Sequence, residues 1–314
     1  MVIDTHAHVL GRLHGRVGRG RTRGVGYGRA QIGGGEAFSH VPPFRRATTF
    51  PPEVLVAQMD GAGVDKAVLL QGSFHGESNA YVAAAVARYP NRLIGAAFVD
   101  PRAPDAQAQF ARLTGPGGFG VLKLEISVGW GFTGLYPDFR LDEPGLAWLW
   151  PAAEQQGVIV VLDLGSVGSA SYQTEIVSGI VSRHPRLQVV IAHLAQPPLA
   201  APDDASLNAQ WEAQIALGRH ANVWFDLAAL PAYVDEDYPY PTARRYIARA
   251  GELIGTERLM WATDAPGLLG QGTYLQLLRY ISRYCDCLTP EARAGVLGGN
   301  AWRLFGPVFG RNGA

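Results

Sequence analysis

Eight short stretches of the chain are almost continuously apolar: Val2–Thr5, Lys66–Leu70, Leu93–Val99, Val121–Ile126, Val158–Leu164, Leu187–Ala192, Val223–Leu227 and Leu259–Thr263. Unbroken apolar runs of this length read as strands buried on both faces, the pattern of a parallel sheet. Between them the apolar positions switch to helical spacing, over Pro52–Asp60, Ser78–Tyr89, Ala106–Leu113, Pro144–Gln156, Ser171–His184, Leu207–His220, Thr242–Ile254 and Tyr274–Tyr284. Pro51 and Pro52 stand where a helix starts, and Gly61, Gly157 and Gly255 where helices end. Eight strand–helix pairs in unbroken alternation fit a (β/α)8 barrel or a doubly wound open sheet. An open sheet holding a dinucleotide would carry G-x-G-x-x-G after its first strand. Here Gly24, Gly26 and Gly28 lead only to Gln31, so the pattern predicts one α/β TIM barrel spanning 1–314. In such a barrel the reactive groups sit at the C-terminal strand ends.

Three insertions interrupt the alternation, and all follow strands. The first, 11–50, is a Gly/Arg-rich loop with ten glycines and six arginines between Gly11 and Gly35. The second, 127–143, holds Trp130, Phe132, Tyr136 and Phe139; the third is 196–206. All three are therefore expected at the active face. The 27 basic and 27 acidic residues cancel, which argues against a nucleic-acid-binding face. The basic side is lopsided, because Lys66 and Lys123 are the only lysines. No apolar run reaches the ~18 residues a membrane span needs. Cys285 and Cys287 are too close in sequence for a good disulfide, and no leader pattern precedes Asp4, so the expected setting is cytoplasmic.

The polar residues fall where a barrel would use them. His6 and His8 are two apart on the first strand and project together, a half-site for a divalent cation. His193 ends the sixth strand and Asp264 the eighth; the carboxylate there can ligate a metal or take a proton from water. Lys123 and Glu125 share a parity on the fourth strand, so both point inward. His75, just past the second strand, is a candidate substrate contact. His14 and His40 lie in the first insertion, and His184 and His220 at helix ends.

Ile3-Asp4-Thr5-His6-Ala7-His8, Ile191-Ala192-His193-Leu194 and Ala262-Thr263-Asp264-Ala265-Pro266 together resemble the amidohydrolase superfamily, in its amidohydrolase-related branch of metal-dependent hydrolases and decarboxylases. Asp60–Ala67 and Asn222–Leu227 look similar to that branch as well, so the resemblance covers essentially the whole chain. It implies a (β/α)8 barrel in which His6, His8 and Asp264 hold a metal and His193 is a ligand of a second metal or an acid/base. The branch usually ends strand five with a histidine ligand; Asp163 stands there instead. Superfamily members also bridge two metals with a strand-four residue, a part Glu125 would take, with Asp163 and His193 completing a second ion. So many ionisable groups in one mouth need cations between them, which favours two ions (Zn, Fe or Mn) over one. Lys123 could instead pair with Asp163 and hold a substrate carboxylate.

The expected activity is hydrolysis of an acyl C–O or C–S bond in a lactone, ester or thioester, with Asp264 as base and His193 or Asp264 as acid. The alternative is non-oxidative decarboxylation of an aromatic or unsaturated acid. Trp130 and Phe132 offer an aromatic wall, and arginines such as Arg19 and Arg21 offer forks for carboxylates or phosphates. They point to a bulky anionic small molecule, an acyl-coenzyme A or an aromatic or cyclic acid. A second copy of the chain, in a homodimer, is the only protein partner considered.

Overall fold

The computed structural model describes residues 1–312. Its elements, in order, are β1 (Ile3–Ala7), β2 (Arg16–Val17), β3 (Gly20–Gly26), β4 (Arg29–Ile32), β5 (Phe38–Ser39), α1 (Pro52–Ala62), β6 (Lys66–Leu69), α2 (Asn79–Arg88), β7 (Leu93–Ala97), α3 (Ala106–Thr114), β8 (Val121–Glu125), α4 (Phe132–Leu135), α5 (Leu149–Gln156), β9 (Ile159–Asp163), α6 (Thr174–Arg183), β10 (Val189–Ile191), α7 (Ala205–Ile215), β11 (Val223–Asp226), α8 (Pro241–Ile254), β12 (Leu259–Met260), α9 (Tyr274–Ser282), α10 (Pro290–Ala294) and α11 (Asn300–Asn312). Eight parallel strands run in the order β1-β6-β7-β8-β9-β10-β11-β12. Backbone bonds from Thr5 N to Trp261 O (3.2 Å), Asp264 N to His6 O (2.7 Å) and His8 N to Ala265 O (2.7 Å) join the last strand's extension to the first. This is a single (β/α)8 barrel, as the pattern predicts, and the eight apolar runs are its strands.

Alternation sorts each strand into an inner and an outer row. Val68, Ile94, Val121, Ile159, Val161, Val190, Trp224 and Met260 form one interior cluster. Leu122, Leu124, Val160, Leu162 and Phe225 belong to the layer under the helices. The C-terminal helix α11 was not foreseen. Its Ala301, Leu304, Phe305, Val308 and Phe309 join the interior cluster, so it closes the end of the barrel away from the mouth. Gly120 sits against Val308, where a Cβ would press on the valine side chain.

The first insertion is a folded lid rather than a loop. Strands β2 to β5 form an antiparallel sheet in sequence order. The β3–β4 hairpin turns on Tyr27 (φ 47°) and Gly28 (φ 75°), both left-handed as a tight two-residue hairpin requires. Val17, Thr22, Ala30 and Ile32 are buried beneath this sheet while Arg16, Arg21, Arg23 and Arg29 stay exposed. Leu10 and Phe50 exchange backbone bonds at its base, both 2.7 Å. Its inner edge is tied to the segment after β6, through Arg16 N to Ser73 O (2.9 Å) and Thr22 Oγ1 to Phe74 O (2.6 Å).

Asp4 fastens the barrel seam. The pairing of β1 with β6 slips between Asp4 and Ala7. A bulge of this kind re-aims side chains near a barrel rim. Asp4 therefore leaves the interior while His6 and His8, of the same parity, enter it. Its carboxylate accepts from Thr263 N (3.0 Å), Thr263 Oγ1 (2.6 Å), Tyr274 Oη (2.7 Å) and His6 N (3.2 Å). Burial pushes its pKa up to about 6 against those four donors. Asp4→Asn turns an amide N–H toward a ring of donors, and such a mismatch costs about 1–3 kcal/mol. Urea denaturation should read that loss; an unchanged midpoint would show that the seam does not need the carboxylate.

Candidate active site

The C-terminal strand ends open into a cavity of about 380 Å³, lined among others by His8, His75, Lys123, Glu125, Asp163, His193 and Asp264. The alternation that buries the core puts them there. Lys123 and Glu125 follow Val121 on the inner row of β8, Asp163 follows Val161 on β9, and Asp226 follows Trp224 on β11.

His6 lies at the centre. Lys123 Nζ, which can only donate, approaches its Nε2 at 3.2 Å, so the ring proton is on Nδ1 and points to Asp226 Oδ2 at 3.0 Å. Burial and the Lys123 charge hold the His6 pKa well below its ordinary value. His8 Nδ1 donates to Leu70 O at 2.8 Å, and its Nε2 faces Asp264 Oδ1 at 3.0 Å. Asp264 Oδ1 is also 3.6 Å from His6 Nε2. Burial opposes its charge, but the His8 hydrogen bond and the surrounding histidines keep Asp264 well below the usual carboxylate range.

His193 is presented by an unusual backbone. His193, Leu194, Ala195 and Gln196 all have left-handed φ, between 43° and 58°. Non-glycine residues pay roughly 1–2 kcal/mol each for this conformation, and it persists only where the surroundings enforce it. Here His193 N donates to Asp226 Oδ1 (2.8 Å), Trp211 Nε1 to Leu194 O (2.8 Å) and Tyr172 Oη to Ala195 O (3.0 Å). Both ring nitrogens of His193 meet acceptors, Nε2 with Asp163 Oδ2 at 2.9 Å and Nδ1 with Ala228 O at 3.3 Å. That arrangement suits an imidazolium. Burial lowers its pKa, but the Asp163 carboxylate outweighs burial and lifts it to about 10. Asp264 itself is left-handed, with φ 58°.

Lys123 Nζ completes the network at 3.3 Å from Glu125 Oε2 and 3.5 Å from Asp163 Oδ2. Burial works against its charge, and Glu125 and Asp163 more than restore it. Burial and the Asp163 carboxylate push Glu125 up to about 8, while Ser127 Oγ donates to its Oε1 at 2.5 Å.

Two trios bring potential ligand atoms within 4.8 Å of one another: His6, His8 and Asp264, and His6, His193 and Asp226. Hydrogen bonds from His6, His193 N and Ala228 N already account for the second, with Asp226 as their common acceptor. The first fits a divalent cation. Each imidazole commits Nδ1 to an acceptor and turns Nε2 toward one charged carboxylate, a donor set suited to zinc and its neighbours.

Of the expected substrate contacts, Lys123, His75 and Trp130 line the mouth cavity. Arg21 and Phe132 do not; they line a separate cavity outside the lid, with His14 and Arg16. Arg19 stacks on the Trp130 ring, 5.5 Å from its centroid. Among the described residues no arginine lines the mouth. The structure adds four residues that the sequence reading left out of the site. Asp226 orients His6 and His193, and its position at the end of an apolar strand matches that of Asp264. Tyr233 stands with its ring 6.2 Å from His193. Ser127 caps Glu125. His40 reaches down from the lid, its Nε2 3.1 Å from that of His75; only the folded lid brings the two together.

A barrel with paired histidines on its first strand, a histidine on its sixth and an aspartate on its eighth defines a TIM-barrel enzyme of the amidohydrolase kind. Residues 3–306 match the model of the Amidohydrolase family, and the chain belongs to that family. It is similar to L-fucono-1,5-lactonase of Burkholderia ambifaria, 28% identical over 265 residues that cover 82% of this chain and 85% of the relative. Among solved structures it resembles an amidohydrolase from Burkholderia multivorans with bound zinc (TM-score 0.70, 20% identity, 98% of this chain and 99% of that one). It also resembles a probable 2-pyrone-4,6-dicarboxylic acid hydrolase from Acinetobacter baumannii with citric acid bound (TM-score 0.68, 18% identity, 97% and 99%). The chain is a hydrolase-type enzyme, and no helix among its described residues is long and apolar enough to cross a membrane.

The His193–Asp163 pair carries a pH signature. His193 binds its proton more tightly in the folded than in the unfolded chain. The stability it contributes is therefore complete below its ordinary pKa of 6.5 and lost as pH rises through about 10. NMR of the His193 ring should show an imidazolium at pH 8 in the wild type and a neutral ring in Asp163→Asn. A neutral wild-type ring at pH 8 would contradict the pairing.

Proposed function

We propose that this mouth hydrolyses a lactone that is neutral and hydroxylated, of the sugar 1,5-lactone kind. One observation carries the reading: the cavity gathers a charged carboxylate, an imidazolium and small polar side chains between aromatic walls, and has no arginine. Phe74, Trp130 and Tyr233 offer faces for an apolar ring edge; Ser127, Ser166, Ser169 and Gln196 offer hydrogen bonds to hydroxyls. The single ammonium, Lys123, is already shared among three protein acceptors. A dicarboxylate would find no free cationic fork, so the reading favours the chemistry named for the lactonase relative over that named for the pyrone dicarboxylate hydrolase. Nothing in the mouth favours an acyl-coenzyme A, and none of the lid arginines that suggested one lines it.

In this reading Asp264 stays ionised at neutral pH and takes a proton from the attacking water. The water oxygen bonds to the lactone carbonyl carbon, the bond from that carbon to the ring oxygen breaks, and the ring oxygen leaves as a hydroxyl. Its proton comes from Asp264 directly, or from the His193 imidazolium that Asp163 stabilises, which is then reprotonated from solvent as Asp264 gives its own proton back to solvent. Asp226 keeps the Nδ1 proton of His6 turned away from the mouth. His6, His8 and Asp264 would hold one divalent cation, which when bound polarises the carbonyl and acidifies water.

A kinetic panel tests this. The chain should hydrolyse neutral sugar 1,5-lactones with kcat/KM at least tenfold above that for a pyrone dicarboxylate. It should release no carbon dioxide from aromatic acids. Preference for the dicarboxylate, or carbon dioxide release without hydrolysis, would reject the reading. Asp264→Asn should lower kcat by about 10²–10⁴-fold, the usual worth of a positioned proton acceptor, with the barrel's circular dichroism unchanged. Near-wild-type turnover would remove Asp264 from that role.

A further inference from the structure

We infer that the Lys123 ammonium stands in the position of a second metal ion, so that this mouth takes at most one divalent cation. Three side chains from three strands surround Nζ: His6 Nε2 from β1 at 3.2 Å, Glu125 Oε2 from β8 at 3.3 Å and Asp163 Oδ2 from β9 at 3.5 Å. One N–H of the ammonium reaches His6 Nε2, and the two carboxylates lie at ion-pairing distance. Lys123 is 3% exposed and reaches this point because the inner row of β8 leaves it no other direction. Glu125 and Asp163, the residues expected to help hold a second ion, are thus turned toward a cation supplied by the chain itself. The two carboxylates are committed elsewhere as well, Glu125 through Oε1 to Ser127 and Asp163 through Oδ2 to His193. A second divalent ion would have to enter beside a fixed positive charge. The inference also sets a competition. Lys123 donates to the same Nε2 lone pair of His6 that an ion at His6, His8 and Asp264 would use, so the ammonium must yield that bond when such an ion binds.

This rests on the reading of His6, His8 and Asp264 as a cation site, and its test is independent of turnover. The full chain is stripped with chelator and titrated with zinc, and bound zinc is counted by elemental mass spectrometry after desalting. The wild type should hold one equivalent at most. Lys123→Ala should hold one more than the wild type, and its tightest site should bind zinc at least tenfold more tightly. Lys123→Arg, which keeps the charge, should match the wild type in stoichiometry. Two equivalents in the wild type would overturn the inference, as would no gain in Lys123→Ala. Circular dichroism and a thermal melt establish that each variant is folded; Lys123→Met, closer in volume, replaces any alanine variant that is not, under the same criteria. If the wild type hydrolyses no lactone, the proposed function fails, while the difference in zinc count still decides the role of Lys123.

Discussion

Everything at the barrel mouth depends on neutralising buried charge. Four carboxylates are drawn into one site, Glu125, Asp163 and Asp226 buried and Asp264 partly exposed at the cavity. Moving a single such ion out of water costs several kcal/mol even after relaxation. The chain meets this with two cations of its own, Lys123 and His193, set among the carboxylates. Each cation is shared: Lys123 among His6, Glu125 and Asp163, and His193 between Asp163 and the Ala228 carbonyl. The left-handed segment from His193 to Gln196 is tolerable because Asp226, Tyr172 and Trp211 hold it in place.

The lid follows from the same constraint. A charge network strengthened by low dielectric needs water kept away, and the β2–β5 sheet lies over the segment after β6 and brings His40 into the mouth. Its surface chemistry is the reverse of the site's. The segment 11–50 has eight arginines against one acid, Glu36, and those arginines are exposed. The chain's zero net charge is thus a sum of separate regions. The excess of arginine belongs to the outside of the lid, and the carboxylates of the mouth are balanced from within.

Much of the barrel was legible in the sequence because burial on both faces of a strand forces an unbroken apolar run. Strand parity likewise places Lys123 and Glu125 inward. The misses have physical reasons. The lid strands bury only a few residues, Val17, Thr22, Ala30 and Ile32, on one face of a glycine-rich segment, so the period-2 signal is faint and Tyr27-Gly28 is the one turn cue. Helix α11 lies past the last strand–helix pair, and its partner is the barrel floor, which no local pattern reveals. Asp4 has the parity of His6, and only the bulge in β1 separates them. Counting arginines in 11–50 gives their number but not their direction, so it could not place Arg21 in the outer cavity or Arg19 on the Trp130 ring. Asp226 carried the same strand-end signal as Asp264 and could have been found by it.

The most direct measurement is a crystal structure of the chain with the hydroxy acid formed from a neutral sugar 1,5-lactone. The account requires the product in the mouth, its carboxylate beside His8, His193 and Asp264 and its hydroxyls toward Ser166, Ser169 and Gln196. No lid arginine should lie within hydrogen-bonding distance of it. A product carboxylate held instead by Arg16 or Arg21 in the outer cavity, with the mouth empty, would contradict the account.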